Sequence, residues 1–363
     1  MNASPFDTPA IMRAENPSPA AATGDPKSRE NILADKSAPA TVDWLAAFKA
    51  GTVTAAELHT MKLPNHPLLL DKWFAEADLG FVFAARGIGK THLCLGLARA
   101  LAEGSSIGPW KSCGAVPVLY MDGEMNAEQI RARDAGLRTG DSLLHYINHE
   151  VLFERTERTI NLARPEQQEA LTALCIALKT RVLILDNLSV LFTGIEENDN
   201  FAWEGVLPWL LRLRKLNIAV IIIAHAGRNG QMRGASKRED SAAWVLRLDD
   251  ALDAATVKRG AKFVTTFTKP SRHTPAEMPA YEWQFAPDEM TGRSAVTFRE
   301  ASGLEVFLQW VGDGLETCGE IAEEMHTSKG TVSKLAKRAE KAGRIKIEGR
   351  KYTLIGGNRE PEK

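Results

Sequence analysis

The sequence has few cysteines, no long apolar run and almost no net charge. Its four cysteines are scattered over 363 residues without a Cys-x-x-Cys pair. This argues against a zinc site or disulfide framework and favours free thiols in a reducing cytoplasm. No apolar run approaches the roughly 20 residues that cross a bilayer, and the N-terminus lacks the layout of a secretory signal. We therefore expect a cytoplasmic protein without a membrane segment. The net charge of −1 says nothing about partners by itself.

The N-terminal part of the chain is rich in proline before its pattern becomes helical. Residues 1–40 contain six prolines, and such a segment cannot bury enough apolar surface to offset its chain entropy. We predict a disordered arm there, with a partner-docking tail as the functional alternative. Residues 41–78 are predicted as a helical lead-in that packs on the core or on a neighbouring subunit, with Trp44 and Trp73 as core residues.

Residues 79–300 alternate strands with helices. Runs such as Val182–Asp186 and Ile218–His225 are almost continuously apolar, which is typical of a parallel sheet buried on both faces. A short strand is expected near Val151–Phe153. Antiparallel edge strands are expected to begin at Trp244, Phe263 and Tyr281.

Residues 301–356 have a different pattern. Two helices are predicted at about 317–325 and 328–342, followed by two short strands around Glu348-Gly349. Helix, turn, helix and hairpin is the layout of a winged helix, and residues 357–363 are a tail. The sequence thus predicts a large α/β domain followed by a small separate one.

The most informative segment is Phe81–Thr91, an apolar strand followed by a glycine-rich turn and the start of a helix. It matches G-x-x-x-x-G-K-[ST] except that Ala84 replaces the first glycine. Backbone N–H groups and the helix N-terminus would cradle a triphosphate. Lys90 would reach the β- and γ-phosphates, and the Thr91 hydroxyl would ligate Mg²⁺. The residues predicted to contact the nucleotide are Ala84, Ala85, Arg86, Gly87, Ile88, Gly89, Lys90, Thr91 and His92.

Two acidic residues follow apolar strands. Asp186 would hold Mg²⁺ through water beside Thr91, although an aspartate that merely caps a strand end is the simpler alternative. Glu124 is the candidate general base that orients and deprotonates the attacking water. We expect it to face the γ-phosphate from the adjacent strand end. Asp122 competes for that role, and a solvent-facing carboxylate is the structural alternative.

Three further side chains are candidates for catalysis. His225 ends a central strand, where it could donate a hydrogen bond to the γ-phosphate and sense its presence. The alternative is a histidine that is only hydrogen-bonded at a strand end and has no functional role. Lys269 and Arg272 follow the strand that begins at Phe263. They could stabilise transition-state charge in a neighbouring subunit, as arginine fingers do.

Basic residues cluster in two places that could contact DNA. The loop at 227–238 is either a solvated loop or a nucleic-acid contact tethered to His225. The predicted winged helix fits DNA backbone binding, although winged helices also dock proteins. The candidate DNA-binding residues are Arg228, Arg233, Lys237, Lys329, Lys334, Arg338 and Arg350.

With these residues placed, the chain resembles the RepA-like branch of the RecA/DnaB-type ATPases, the hexameric helicases of plasmid replication. The resemblance covers about residues 65–300. It implies an α/β fold with a RecA-like P-loop ATPase core, a mainly parallel sheet, nucleotide sites between subunits and a ring, expected to have six. It also implies roles for Glu124 as catalytic glutamate, Asp186 as metal-site acid and His225 as sensor. Ala84 departs from the pattern, and the winged-helix tail and N-terminal arm are additions. The residues that carry it are Ala84–Thr91, Asp122–Met125, Leu183–Asn187, Ala224-His225 and Arg233–Ser236.

These observations together predict an Mg²⁺-dependent ATP hydrolase acting on DNA, single-stranded in the ring and duplex at the winged helix. A homo-oligomer is expected, with a replication initiator or primase as a further partner. One competing hypothesis is a DNA-binding regulatory or loader ATPase that switches state without unwinding. The other is a nucleotide-gated DNA-binding or scaffolding protein with negligible turnover.

Overall fold

A computed structural model of the chain describes residues 43–63, 65–137, 143–194, 203, 205–227, 240–251, 260–273, 277–287, 293–325 and 327–355. The predicted arm at 1–40 and the tail at 357–363 lie outside these ranges, as do Arg228, Arg233 and Lys237. Among the residues described, no helix is long and apolar enough to cross a membrane.

Strands alternate with helices from residue 79 as the sequence predicts, but the predicted helical lead-in contains two short strands, at Leu68–Leu70 and Phe74–Ala75. In chain order the helices are α1 (Trp44–Gly51), α2 (Ala55–Thr60), α3 (Lys90–Glu103), α4 (Ala127–Leu137), α5 (His149–Thr156), α6 (Pro165–Ala177), α7 (Leu188–Leu191), α8 (Leu207–Lys215), α9 (Gly303–Gly312), α10 (Cys318–Glu324) and α11 (Lys329–Lys341). The strands are β1 (Leu68–Leu70), β2 (Phe74–Ala75), β3 (Leu79–Ala84), β4 (Ser106–Ile107), β5 (Trp110–Lys111), β6 (Val118–Asp122), β7 (Leu144–Asn148), β8 (Val182–Asp186), β9 (Ala219–His225), β10 (Trp244–Asp250), β11 (Ala261–Lys269), β12 (Tyr281–Pro287), β13 (Ser294–Glu300), β14 (Ile345–Glu348) and β15 (Lys351–Leu354).

Nine strands form one sheet in the order β13-β12-β11-β10-β3-β9-β8-β6-β7. The strands from β10 to β7 are parallel to their neighbours, whereas β11, β12 and β13 continue the sheet in antiparallel pairing. Every residue of β3, β8 and β9 is buried, which is why these strands are apolar on both faces. The predicted α/β class with a mainly parallel sheet is confirmed.

Two hydrophobic clusters cover the two faces of the sheet. One contains the apolar side of α3 together with Trp73, Trp110 and Trp244. The other contains residues of α6 and α8. Alternate residues of β3 point into opposite clusters, Val82 into the first and Phe81 into the second. The phosphate-loop strand is therefore fixed from both sides.

Several expectations about strands were wrong. The segment near Val151 belongs to α5, because Asn148 accepts hydrogen bonds from the N–H groups of Glu150 and Val151 and so caps a helix. The strand in that region is instead β7. The strand at Trp244 is β10, which is parallel to β3 and lies inside the sheet rather than at an antiparallel edge. The strand β13 was not anticipated.

The lead-in helices α1 and α2 form where expected, capped by Asp43 and Thr54. Neither has a buried residue. Trp73 is fully buried, but Trp44 is 64% exposed, so its placement in the core was wrong. The amphipathic pattern of α1 is present, but the described part of this chain does not cover its apolar side.

The C-terminal segment has its own small core. Helices α9, α10 and α11 pack with the β14–β15 hairpin around Phe307, Val332 and Tyr352. The segment is fixed to the sheet through Arg247 of β10, which pairs with Asp313 and lies 4.6 Å over the ring of Trp310. Helices α10 and α11 and the hairpin lie where the sequence predicts them, and α9 was not anticipated.

Candidate active site

The turn between β3 and α3 has the shape of a phosphate loop. Gly87 and Gly89 have φ angles of 81° and 126°, a region that favours glycine. A Cβ at Gly89 would lie 2.7 Å from the ring of Phe263. Ala84 does not have a positive φ, so alanine replaces the first glycine without strain. Ala85, Arg86 and Gly87 are exposed, whereas Ile88 is buried.

The first turn of α3 offers its backbone N–H groups to an anion. Gly89 is the N-cap residue and provides no side-chain cap, so the first N–H groups of the helix keep their bonding capacity. The helix dipole adds partial positive charge at the same place. Chemically, this end of α3 fits a phosphate group.

Lys90 is the first residue of α3, and its side chain reaches back to the loop; the residue is 7% exposed. Its Nζ donates to the carbonyl oxygens of Ala84 (3.0 Å) and Ala85 (2.9 Å) and lies 3.2 Å from Nδ1 of His225. Burial lowers the pKa of Lys90 to about 8, although the carboxylates of Asp186 and Glu124 oppose the shift. A phosphate group would give this buried cation a direct counter-charge.

Thr91 and Asp186 meet beside the loop. The Thr91 hydroxyl donates to Oδ2 of Asp186 at 2.8 Å, and the buried hydroxyl of Tyr120 donates to the same oxygen at 2.7 Å. Burial raises the pKa of Asp186, so a cation at this point would favour its ionised form. Tyr120 holds the carboxylate toward Thr91.

The donor chemistry of this edge fits Mg²⁺. Among the described residues, no three His, Cys, Asp or Glu side chains converge as a metal cage. Mg²⁺ commonly uses one or two protein groups and takes its remaining ligands from substrate phosphates and water. Thr91 and Asp186 would supply the protein's share, and the free N–H groups of α3 would hold the phosphates.

The two acidic candidates after β6 differ in environment. Asp122 is 1% exposed and accepts from Nδ2 of Asn148 at 2.7 Å and from the N–H groups of Glu124 and Met125. Burial raises the pKa of Asp122 to about 6. Glu124 is exposed and accepts a hydrogen bond from Nδ2 of Asn187. Asp122 therefore shapes the turn, and Glu124 is the carboxylate that water and substrate can reach.

We expected Glu124 at the end of the strand next to β3, and this was wrong. Strands β9 and β8 lie between β3 and β6. Asn187 connects Glu124 to the strand next to β3, because its Nδ2 contacts both Glu124 and Nε2 of His225, the latter at 3.3 Å. His225 ends β9 opposite Ala84 and is buried. Glu124, His225 and Lys90 are thus joined through Asn187 at the carboxyl edge of the sheet.

Three polar residues of this site were not assigned roles from the sequence: Tyr120, Asn148 and Asn187. Each contacts a predicted site residue that belongs to another segment of the chain: Tyr120 contacts Asp186, Asn148 contacts Asp122 and Asn187 contacts Glu124. Asn187 follows Asp186 directly, and a polar residue after a strand end was the only local signal. Tyr120 lies within an apolar strand, where the sequence suggests packing alone.

Lys269 and Arg272 lie at the opposite end of the sheet. Strand β11 runs antiparallel to β10, and Lys269 pairs in register with Val245 near the start of β10. Arg272 donates two hydrogen bonds to Asp78, at 2.8 and 3.0 Å. These two cations do not join the site of their own chain, so a role at the nucleotide of a neighbouring subunit stays a prediction.

The remaining DNA-binding candidates lie in the C-terminal segment. Lys329, Lys334 and Arg338 are exposed along α11, and Arg350 is exposed between the strands of the hairpin. Helix α10 differs from α11 in charge, because it carries three glutamates, Glu320, Glu323 and Glu324, and no basic residue. Among these candidates the positive charges therefore lie on α11 and the hairpin and not on α10.

One protein family model covers the residues of this site. A family model described as an AAA domain matches residues 45–231, just over half of the 363 residues. The matched range contains the loop, Glu124, Asp186 and His225, and it ends before Lys269 and Arg272.

Two solved structures are similar to the chain. One is a KaiC-like protein from the hyperthermophilic archaeon Pyrococcus horikoshii OT3, with 16% identity and a TM-score of 0.44 over 62% of this chain and 91% of that one. The other is the flagellar accessory protein FlaH from Methanocaldococcus jannaschii, with 16% identity and a TM-score of 0.37 over 61% and 89% of the two chains. No curated protein sequence matches the chain.

Proposed function

This chain belongs to the AAA domain family of P-loop nucleoside triphosphatases, and from that premise we propose that it is an Mg²⁺-dependent ATP hydrolase that acts on DNA. The observation that carries the proposal is the meeting of Lys90, Thr91, Asp186 and His225 beside an uncapped helix N-terminus, with Glu124 joined to them through Asn187. In the finer proposal, the protein is a RepA-like ring helicase in replication of a plasmid, phage or other mobile element.

Each residue of the site has a role in the proposed hydrolysis. Lys90 and the N–H groups of α3 bind the phosphates, and Thr91 and Asp186 hold Mg²⁺, which supplies charge neutralisation when bound. Glu124 accepts a proton from the attacking water. The accessibility of Glu124 and the full hydrogen bonding of Asp122 support this division. His225 senses the phosphate through its contact with Lys90.

DNA contact is proposed for residues 301–356, taken as a winged helix. Three helices, a two-stranded hairpin and a separate core support this assignment. Lys329, Lys334 and Arg338 project from α11 without burial, as phosphate-contacting residues do. Duplex DNA would bind there, and single-stranded DNA in the ring.

Assembly into a ring, expected to be a hexamer, is also proposed. The lead-in was predicted to pack on the core or on a neighbouring subunit, and α1 and α2 bury nothing on the described part of this chain. Trp44, Leu45 and Phe48 are each more than 60% exposed. Short isolated helices are marginal in water, so a neighbouring subunit is the better host for this apolar side. Arg272 and Lys269 would then face the nucleotide of that neighbour.

One observation favours the second candidate function, a DNA-binding regulatory or loader ATPase that does not unwind. Arg272 is held by Asp78 of its own chain in a two-bond ion pair, which leaves it less free to act in trans. A protein of this kind would change its DNA affinity with nucleotide state and turn over slowly.

The test is ATP hydrolysis without DNA, with single-stranded DNA and with duplex, together with molar mass by light scattering with and without ATP. Stimulation by single-stranded DNA and a ring-sized mass support the motor and justify a strand-displacement assay. Slow, DNA-indifferent turnover by a monomer or dimer supports the regulatory switch instead.

The DNA surface has a separate test with matched charge. Reversing Lys334 and Arg338 to glutamate should weaken duplex binding roughly tenfold or more and reduce its salt dependence. The control reverses Lys179 and Lys215, two exposed lysines outside the C-terminal segment, and should leave affinity unchanged. Equal affinity in both variants would make the C-terminal segment a protein-docking module.

A further inference from the structure

Asn187 is 1% exposed and its amide has a fixed orientation. It follows β8 and caps α7, where its Oδ1 accepts from the N–H of Val190 (3.3 Å) and from the hydroxyl of Ser189 (2.7 Å). The N–H of Val190 can only donate, so the amide oxygen must face it. The nitrogen of the amide therefore points the other way, into the site.

The amide nitrogen has two hydrogens and two neighbours. It donates to Oε2 of Glu124 and lies 3.3 Å from Nε2 of His225. Among the residues that the structure describes, Asn187 is the only side chain that donates a hydrogen bond to Glu124. The exposed carboxylate thus depends on one buried amide for its position.

The contacts continue from His225 to the phosphate loop. Nδ1 of His225 lies 3.2 Å from Nζ of Lys90, which itself rests on the carbonyl oxygens of Ala84 and Ala85. Lys90 is the group that a phosphate would attract. His225 and Asn187 therefore connect Lys90 to Glu124 by successive side-chain contacts.

We propose that Asn187 is a positioning residue, which fixes the Glu124 carboxylate relative to His225 and the phosphate loop while it caps α7. This inference rests on the proposed hydrolase function. Asn187 itself transfers no proton, because a carboxamide does not ionise near neutral pH; it only forms hydrogen bonds. Its contribution should therefore be visible in the rate of hydrolysis and not in the affinity for nucleotide.

Replacement of Asn187 by serine separates its two roles. Serine caps a helix about as well as asparagine, but its short hydroxyl cannot reach Glu124 and His225 at once. Asn187→Ser should lower kcat about tenfold and leave KM for ATP within about threefold, the pattern of an interaction made in the transition state. Asn187→Asp keeps the capping oxygen but places an acceptor against the Glu124 carboxylate, so its kcat should fall further. Ser189→Ala is the matched control, because it removes a partner of the same Oδ1 but keeps the amide, and kcat should change less than about twofold.

A double-mutant cycle tests whether Asn187 acts through Glu124. In a Glu124→Gln background the serine substitution should lower the residual rate less than about twofold, because residues that act as a unit are not additive. A further tenfold loss in that background would overturn the inference and indicate a general structural role. Thermal melting of every variant establishes that the compared proteins are folded; should Asn187→Ser melt early, Asn187→Asp in both backgrounds decides by the same criterion.

Failure of the proposed function and failure of the inference about Asn187 give different results. A parent protein without nucleotide turnover would overturn the proposed function and this inference with it. An active parent whose Asn187→Ser variant has full kcat would overturn the inference alone.

Discussion

The two ends of the central strands use polar residues in opposite ways. At the amino end, Asp78 is closed into a two-bond ion pair with Arg272, and Arg214 donates to the carbonyl of Ala77 at 2.7 Å. At the carboxyl end, Asp186 is buried with a raised pKa and Lys90 is buried with a lowered one. Asp78 at the amino end is thus paired within the folded chain, whereas the carboxyl end is built around charges that a ligand would satisfy.

Stability and chemistry therefore depend on different ends of these strands. Paired charges at the amino end cost little once they are formed, and breaking them would leave a buried charge uncompensated. Buried groups with shifted pKa values at the carboxyl end lower stability and are typical of functional sites. Substitutions at the amino end should therefore change stability, and substitutions at the carboxyl end should change activity.

Among the substitutions that should leave nucleotide binding intact, the largest expected effect is at Glu124. Glu124→Gln keeps the size of the side chain but cannot accept a proton, so turnover should fall about 100-fold or more while binding of a fluorescent ATP analogue persists. Steady-state phosphate release measures the first quantity and fluorescence titration the second. Parent-level hydrolysis in this variant would transfer the base role to Asp122 or another group.

At the amino end, Asp78→Asn should act on stability alone. The substitution places an amide against the Arg272 guanidinium and weakens an ion pair in which only the Asp78 side is buried, so the free energy of unfolding should fall by about 1–3 kcal/mol. Urea denaturation measures the loss, and turnover per folded molecule should be retained.

Arg272→Ala tests the same ion pair from its other side, with phosphate release as the measurement. Retained turnover would confine Arg272 to its own chain, and lost turnover would support its action in trans.

A smaller effect concerns pH. Burial, assisted by the charge of Arg133, lowers the pKa of His92 to about 4 from 6.5. Between those values the unfolded chain binds a proton that the folded chain does not, so this part of the stability is lost as pH falls from 6.5 toward 4. From about pH 7.5 to pH 5, the parent should lose about 1–2 kcal/mol more than His92→Gln. Urea titrations at the two pH values check the difference, and parallel losses in both proteins would contradict it.

The smallest expected effect is at Tyr120. Tyr120→Phe removes one hydrogen bond to Asp186 without changing the packing, so the Mg²⁺ concentration for half-maximal turnover should rise about threefold to tenfold. Titration of Mg²⁺ at saturating ATP measures it. An unchanged requirement would limit Tyr120 to a packing role and weaken the assignment of Asp186 to the metal.

Much of this site was predictable because its signals are local. The loop at Ala84–Thr91 and the polar residues that end β8 and β9 are read directly from short segments, and parallel strands bring their carboxyl ends to one edge. The link from Glu124 through Asn187 could not be predicted in the same way. It depends on β8 and β9 lying between β3 and β6, and the order of strands in a sheet is a tertiary property.

The errors have similar causes. The apolar triplet at Val151–Phe153 suits a strand or a helix, and the cap at Asn148 decided for the helix. The run at Trp244 gives no indication of its direction in the sheet. Trp44 has the periodicity of a packed helix residue, but periodicity does not say whether its own chain or another one covers it.

The most direct test of the account is phosphate release from ATP by the parent protein and by Lys90→Ala, with and without Mg²⁺. We expect Mg²⁺-dependent turnover in the parent and none above background in the variant, which should also bind nucleotide more weakly. Turnover that is equal in the two proteins would contradict the assignment of this loop and edge as the site of hydrolysis.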